Sequence, residues 1–431
     1  MLKDFVLGLG DKEVSIALPE KQVIHVIEGK AVEAIADVPA AVKAAVSQPI
    51  DSPPLPEVVK AGDKVVIIAS DITRQWISYP RFLPALLNEL NQAGIPDSDI
   101  KLVVSLGSHR RHTDQENVQV YGEETAGRIQ IVQSYAPAAE DFVYTGKTSR
   151  GVDTYINKHV VNADKVIMTG GIIYHPMAGF GGGRKAIVPG VAGYSTIQGN
   201  HTFCLHEVIG QGVNPNCMSG KLEGNNMHED MSEMAAMLKH TFLLNAVFTP
   251  TGQFARFVAG HPYTAWLEGC KTVEEIFGVP ITAKADLVIA SAGGFPKDIN
   301  LYQGTKTTEN AIMAVKDDGV IIALLECRDI MEPPDFSGWF NYESLYDREI
   351  ALRKAFTVPG FIALKTGLMA KKVPHIIVTL PQNKEFMEKA GLIAVTTLEE
   401  AMTIAEQKLN RKDYTITVMP HGANTVPLLQ G

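Results

Sequence analysis

Lys64-Val65-Val66-Ile67-Ile68-Ala69 runs straight into Ser70-Asp71-Ile72-Thr73-Arg74. Four consecutive β-branched residues without polar alternation describe a strand covered on both faces, as in a parallel sheet. Similar apolar runs recur at 100–104, 166–168, 286–290, 320–324, 376–379 and 414–418. Helical patterns at 81–93, 307–316, 387–390 and 397–407 lie between several of them. This alternation predicts two α/β domains with mostly parallel sheets and right-handed crossovers. The Gly-Val-Pro break at 278–280, followed by a fresh strand, puts the boundary between an N-terminal domain over 1–270 and a C-terminal α/β domain over 275–431. The runs VSIAL and VIHVI within residues 1–30 predict a β-hairpin. The tail 419–424 is a candidate to pack back across the first domain.

Composition narrows the function classes. The chain has 431 residues, 45% hydrophobic and 20% charged, with net charge −9. Disordered chains combine low hydrophobicity with high net charge, which is not the case here. An acidic chain also lacks the basic face of a nucleic-acid binder, though it can hold a local cationic pocket. No run of 18 apolar residues is present, so no membrane span is expected. The charged start lacks a signal-peptide core, and a cytoplasmic location is the expectation. The four cysteines (204, 217, 270, 327) form no CxxC pair, which reads as reduced thiols.

Ligands of open α/β sheets bind beyond the carboxyl ends of strands. Four loops there carry unusual chemistry. In Ser70–Arg74, Arg74 can grip a carboxylate with its planar fork, and Asp71 can orient it or contact a ligand hydroxyl. A helix cap with a surface arginine explains the same residues equally well. Gly107-Ser108-His109-Arg110-Arg111-His112-Thr113 offers two imidazoles, and His109, closer to the strand end, is the better general base. The third loop is Gly170-Gly171-Ile172-Ile173-Tyr174-His175-Pro176-Met177-Ala178-Gly179-Phe180-Gly181-Gly182-Gly183-Arg184-Lys185. Glycine lets backbone approach a ligand closely, and successive amides can cradle phosphate. The fourth, 293–298 with Tyr302-Gln303-Gly304-Thr305-Lys306, offers Gln303 and Lys306 to a ligand lying between the domains.

Two common phosphate motifs fail on the third loop. A P-loop register starting at Gly179 meets Arg184 where its second glycine belongs and Ala186 where a metal-binding hydroxyl belongs. A dinucleotide fingerprint from Gly179 and Gly181 also meets Arg184. Downstream, His201 and Cys204 are spaced to share a helix face, whereas His201 and His206 are not. An all-protein metal site is therefore weakly signalled. A single histidine completing a metal held by another group remains open, as does a helix end with incidental histidines.

The motifs DITR at 71–74, GSHR at 107–110, YHPMAGFGGGRKAIVPGV at 174–191, GNH at 199–201 and YQGTK at 302–306 resemble, in order and spacing over nearly the whole chain, the lactate racemase family that uses a nickel-pincer nucleotide. That cofactor is a nicotinate mononucleotide derivative whose sulfur-containing arms clasp nickel. The resemblance implies a racemase or epimerase that inverts C2 of a 2-hydroxy acid, lactate or another, by passing hydride to the cofactor and back through a 2-keto acid. It implies Lys185 as the covalent tether through a thioamide, with Tyr174, Gly181, Gly182 and Arg184 around the cofactor. It implies His201 as the protein ligand of nickel, and His109 and His175 as the acid–base pair. Asp71, Arg74, Tyr302, Gln303 and Lys306 would bind substrate, the active site lying in the cleft between domains, and cofactor-maturation enzymes would be transient partners. Hydride transfer suits an ionised substrate, because removing its C2 proton would build a second negative charge beside the carboxylate. Soft sulfur donors suit nickel. The family commonly has proline after the TR of the first loop; here Gln75-Trp76 follow. Two other classes compete: a nucleotide- or phosphate-binding enzyme of another type, and a non-catalytic hydroxy-acid sensor on the same fold.

Overall fold

The computed structural model describes residues 1–430 and divides the chain into two compact units. The larger comprises Ala31–Cys204 and Asn216–Ile276; the smaller comprises Met1–Lys30, Leu205–Pro215 and the chain from Phe277 onward. Both are α/β units built on a six-stranded, mostly parallel sheet.

In the larger unit the sheet order is Phe254–Gly260, Thr241–Phe248, Lys165–Gly171, Val65–Ser70, Ile100–Gly107, Gln130–Tyr135. Every pairing is parallel except that of the first two strands. Val65 to Ala69 are all buried, as their β-branched run required. The helix Leu83–Gln92 lays Leu83, Leu86, Leu87 and Leu90 on one face of this sheet, in the same core as Ile67, Leu102 and Leu244. From Val65–Ser70 the chain winds outward through two strands, then returns to the other side of that strand to form Lys165–Gly171. The order reverses between these two strands, the point at which open α/β sheets bind their ligands.

The smaller unit orders its sheet Ile393–Val395, His375–Val378, Val315–Leu324, Ala285–Ser291, Ile416–Met419, Val23–Val26, all parallel. Residues 1–30, expected in the first domain, belong here. The hairpin pairs Leu2–Leu9 with Lys12–Pro19, and VIHV is a separate edge strand beside Ile416–Met419. Phe5, Leu7 and Leu18 share a core with Leu287, Ile322 and Val418, and burying them drives the assignment. The tail pairs within this unit too, Val426–Leu429 lying parallel to Gly278–Ile281. The segment YQGTK is helical: the Asn300 side chain accepts from the Gln303 amide and starts the helix Leu301–Ala314 six residues before the predicted start at 307.

Candidate active site

The loops at the reversal point of the larger sheet bring together Asp71, Arg74, His109, His175, Lys185 and His201. Asp71 follows directly on Val65–Ser70 and is buried. One carboxylate oxygen accepts from His109 Nδ1 at 2.5 Å, the other from the Thr73 hydroxyl at 2.5 Å. Burial pushes the Asp71 carboxyl up, but the His109 contact, the Thr73 hydroxyl and the Arg74 charge together hold it below its ordinary value. It therefore stays ionised, keeps the proton on His109 Nδ1, and leaves the lone pair on Nε2 of that half-exposed ring. Asp71, expected among the substrate-binding residues, hydrogen-bonds an imidazole.

The neighbouring histidine has a different task. His112 Nε2 accepts from the Ile72 amide at 2.8 Å, so its proton sits on Nδ1, facing Asn117 Oδ1 at 3.1 Å. His112 is buried and bolts the Asp71 loop to the next strand's loop. Arg74 touches only the carbonyl and hydroxyl of Thr73, both at 3.2 Å, and makes no salt bridge among the described residues. Its fork remains able to take a carboxylate.

The glycine-rich loop starts after Lys165–Gly171 and folds back on itself, Tyr174–His175 pairing with Gly179–Phe180. Alternation sends the two side chains to opposite faces. Tyr174 stacks on Phe180 with ring centroids 5.0 Å apart, and its buried hydroxyl has no hydrogen-bond partner among the described residues. His175 points to Lys185, with Nε2 3.1 Å from Nζ. His175 Nδ1 accepts from the amides of Met177 at 3.2 Å and Ala178 at 3.1 Å. Burial, then the charges of Lys185, Arg74, Arg184 and His201, push the His175 pKa far below its usual value.

Three of the loop amides expected to cradle phosphate have partners within the protein. The Gly181 amide donates to the Ile173 carbonyl, the Gly183 amide to Asn245 Oδ1 at 2.8 Å, and the Lys185 amide to the Gly182 carbonyl. The glycines serve tight packing. A side chain on Gly183, whose φ is +53°, would begin 2.6 Å from the Trp266 ring, and one on Gly182 would begin 2.6 Å from Asn245 Oδ1. Arg184 turns inward. Its guanidinium lies 3.9 Å from the Trp266 ring centroid and donates to the carbonyls of Ala178 and Phe180 and to His228 Nδ1. No carboxylate pairs with it among the described residues, so its charge acts on its neighbours. Sequence reasoning missed Asn245, Trp266 and His228. The one signal was a lone asparagine inside the apolar run FLLNAVF.

His201 ends the helix Tyr194–His201 and is buried. Its Nδ1 donates to the Ile197 carbonyl at 3.0 Å, which fixes the tautomer that carries the lone pair on Nε2. A backbone carbonyl holding the far nitrogen is how metal-binding imidazoles are oriented. Burial, then the Lys185 charge, lowers the His201 pKa to about 3, so the ring is neutral and able to ligate a metal at any working pH. No group of three His, Cys, Asp or Glu able to hold a metal exists among the described residues. Cys204 points its thiol at Met227 Sδ, 3.0 Å away, and His206 belongs to the smaller unit. A single prepared imidazole beside a reactive lysine fits a metal whose other ligands come from a tethered cofactor. In the smaller unit Lys306 donates to Gln303 at 2.7 Å on one helix face, while the Tyr302 ring meets Phe336 edge-on.

The fold and site describe a doubly wound α/β protein with oriented imidazoles, one of them against a buried lysine, an arrangement suited to proton transfer. Known proteins make the class specific. Residues 9–212 match the lactate racemase N-terminal domain, and residues 281–426 the lactate racemase C-terminal domain. The lactate racemase of Thermoanaerobacterium thermosaccharolyticum is 32% identical over 97% of both chains, and that of Lactiplantibacillus plantarum 31% identical over 89% of this chain and 90% of that one. The apoprotein structure of the former superposes with a TM-score of 0.88 at 31% identity, covering 99% of this chain and all of that one. A crystal structure of a Thermotoga maritima protein, with a TM-score of 0.62 at 13% identity, covering 93% of this chain and 100% of that one, shares the fold. The chain belongs to the lactate racemase family. It is an isomerase of the racemase or epimerase type for 2-hydroxy acids, working with a lysine-tethered nickel-pincer nucleotide.

Proposed function

We propose that Lys185 carries the cofactor, that His201 is the protein ligand of its nickel, and that His109 and His175 are the acid–base pair for lactate or a close relative with a small apolar C3 group. The geometry of His109 carries this reading: an ionised, buried carboxylate fixes its tautomer and leaves Nε2 as the base. Asp71 also favours the imidazolium that forms when His109 takes the hydroxyl proton. When bound, the cofactor supplies the hydride acceptor and donor. Arg74 holds the substrate carboxylate, while Tyr302, Gln303 and Lys306 are assigned to substrate on the strength of the family motif. Gly181, Gly182 and Tyr174 shape the wall beside the tether rather than binding phosphate through amides.

The preference for a small apolar substituent comes from the cations around the crevice. Arg110 is held by both oxygens of Glu116, and Arg111 lies over the Tyr135 ring, so neither is offered to a second carboxylate. Trp76 stands 3.0 Å from where a side chain on Gly171 would begin, and adds an apolar wall where the family commonly has proline. Maturation enzymes that build and deliver the cofactor are transient partners. The four cysteines are free and buried, and no helix among the described residues is long and apolar enough to cross a membrane. Both features suit our assignment to the cytoplasm.

The test is chiral chromatography of a panel of 2-hydroxy acids incubated with protein matured in the presence of the cofactor-building enzymes. Intact mass and nickel content are read on the same sample. Interconversion of lactate enantiomers with an adduct on Lys185 is expected. A matured sample lacking both adduct and nickel, or one active only on dicarboxylic hydroxy acids, overturns the reading in whole or in its substrate.

A further inference from the structure

We propose that His175 acts before catalysis as well as in it: its Nε2–H holds Lys185 as an uncharged amine, the form that can accept the cofactor. The inference rests on the assignment of Lys185 as the tether. Its basis is the count of protons around one ring. His175 Nδ1 receives two backbone N–H groups, from Met177 and Ala178, and so carries no proton itself. A neutral imidazole then bears its proton on Nε2. That nitrogen lies 3.1 Å from Lys185 Nζ. An ammonium has only donors and would face an N–H; an amine has a lone pair to receive it.

The surroundings act in the same direction. Arg184 on the same turn and Arg74 from the first loop act on Lys185 by their charge, the His175 ring contacts it, and Cys204 is the nearby group of opposite tendency. No carboxylate is among them. Arg184 is itself buried without a carboxylate, so its charge is felt at Lys185 with little screening. Burial, then Arg184 and Arg74, lowers the Lys185 pKa from 10.5 to about 7. Arg184 is thus a positioning residue: it pins the glycine loop and disfavours a second positive charge.

An uncharged amine is what thioamide formation needs. Lys185 Nζ bonds to the carbon of a thiocarboxylic acid, the C–O bond breaks, and the hydroxyl leaves as water with one amine proton. Nitrogen and carbon keep their oxidation levels, and no further reagent is consumed. Acylation ends the lysine's capacity to take up a proton, so no ammonium can form beside His175 during its catalytic task.

The experiment uses the full-length apoprotein and acetic anhydride pulses from pH 5.5 to 11, with labelling of Lys185 quantified by peptide mass and the exposed Lys43 as reagent reference. Half-maximal labelling of Lys185 is expected near neutral pH, against about 10.4 for an ordinary lysine. His175→Asn keeps an acceptor for the two amides but lacks the distal N–H; its midpoint is expected to rise by roughly one pH unit. His175→Gln, which can place an N–H near the Nε2 position, is expected to restore part of that shift. A wild-type midpoint above about 9 overturns the inference, as does an unshifted His175→Asn profile. Should His175→Asn fail to fold, the wild-type profile still decides. A low midpoint without an adduct after maturation overturns the tether assignment instead, and an adduct with an ordinary midpoint overturns only the amine state.

Discussion

Single side chains divide the work at the crevice by where each imidazole keeps its proton. Asp71 holds His109 by Nδ1; two amides leave His175 Nδ1 without a proton; the Ile197 carbonyl holds His201 Nδ1 and leaves the lone pair on Nε2. Asp71→Asn weakens the stabilisation of the His109 imidazolium and permits the wrong tautomer. The expected result is a fall in kcat of about 10²- to 10⁴-fold with KM little changed, measured from each lactate enantiomer. His201 gives a pH prediction that needs no cofactor. Its folded pKa lies far below 6.5, so below that pH the unfolded chain binds a proton that the folded protein refuses. Stability of the apoprotein therefore declines as pH falls from about 6.5 toward the folded value, by at most about 1.4 kcal/mol per pH unit for this group. Urea unfolding at pH 7, 6 and 5 should show a shallower decline in His201→Gln than in the parent, and the variant should also fail to retain nickel after maturation.

Elements set the site through a strand that does no chemistry. Asn245, midway along Thr241–Phe248, reaches the Gly183 amide and holds the turn that presents Lys185. Asn245→Leu leaves that buried amide without its acceptor, at a cost of about 1–3 kcal/mol. Gly183→Ala forces a methyl toward the Trp266 ring at a φ that L-residues avoid, and should destabilise comparably. Both should lower the apoprotein Tm and slow adduct formation on Lys185, read by mass against time. Such supports explain why some of the site was legible in the sequence and some was not. The strand Val65–Ser70 and its loop could be read directly, because a continuous β-branched run has one structural meaning and the sheet rule puts chemistry after it. The motif also marked His109, His175, Lys185 and His201. Nothing local revealed that Arg184 turns into the core, because its partners come from residues 178–180, from His228 and from Trp266. The amides of 181, 183 and 185 looked free to cradle phosphate for the same reason: their acceptors, Ile173 and Asn245 among them, are set by folding. Strands Gln130–Tyr135, Thr241–Phe248 and Phe254–Gly260 went unread between stronger signals, although their pairing completes the larger sheet.

At the scale of the whole molecule the chain leaves the smaller unit after residue 30, builds the larger one, and returns at 277, with 205–215 a brief earlier visit. Each unit keeps its own apolar core, so damage to one core should be felt by its own sheet. Leu7 is fully buried in the hairpin and packs with residues of Ala285–Ser291, Val315–Leu324 and Ile416–Met419 in one cluster. Leu7→Ala removes buried methyl groups and leaves a cavity that neighbouring strands cannot fully close, costing about 2–5 kcal/mol. Hydrogen exchange by mass spectrometry should show faster exchange in strands 285–291, 315–324 and 416–419 and in the hairpin. Strands 65–70, 100–107 and 165–171, whose core includes Ile67, Leu102 and Ile167, should keep their protection. The same variant, matured, should still carry its adduct on Lys185, because the proposed tether Lys185, the proposed nickel ligand His201 and both His109 and His175 lie in the larger unit. If Tyr302, Gln303 and Lys306 bind substrate as proposed, its racemase activity should fall with temperature sooner than the parent's, since they lie on the helix Leu301–Ala314 of the weakened unit. Equal loss of protection in both sheets would show instead that the two cores unfold as one cooperative body.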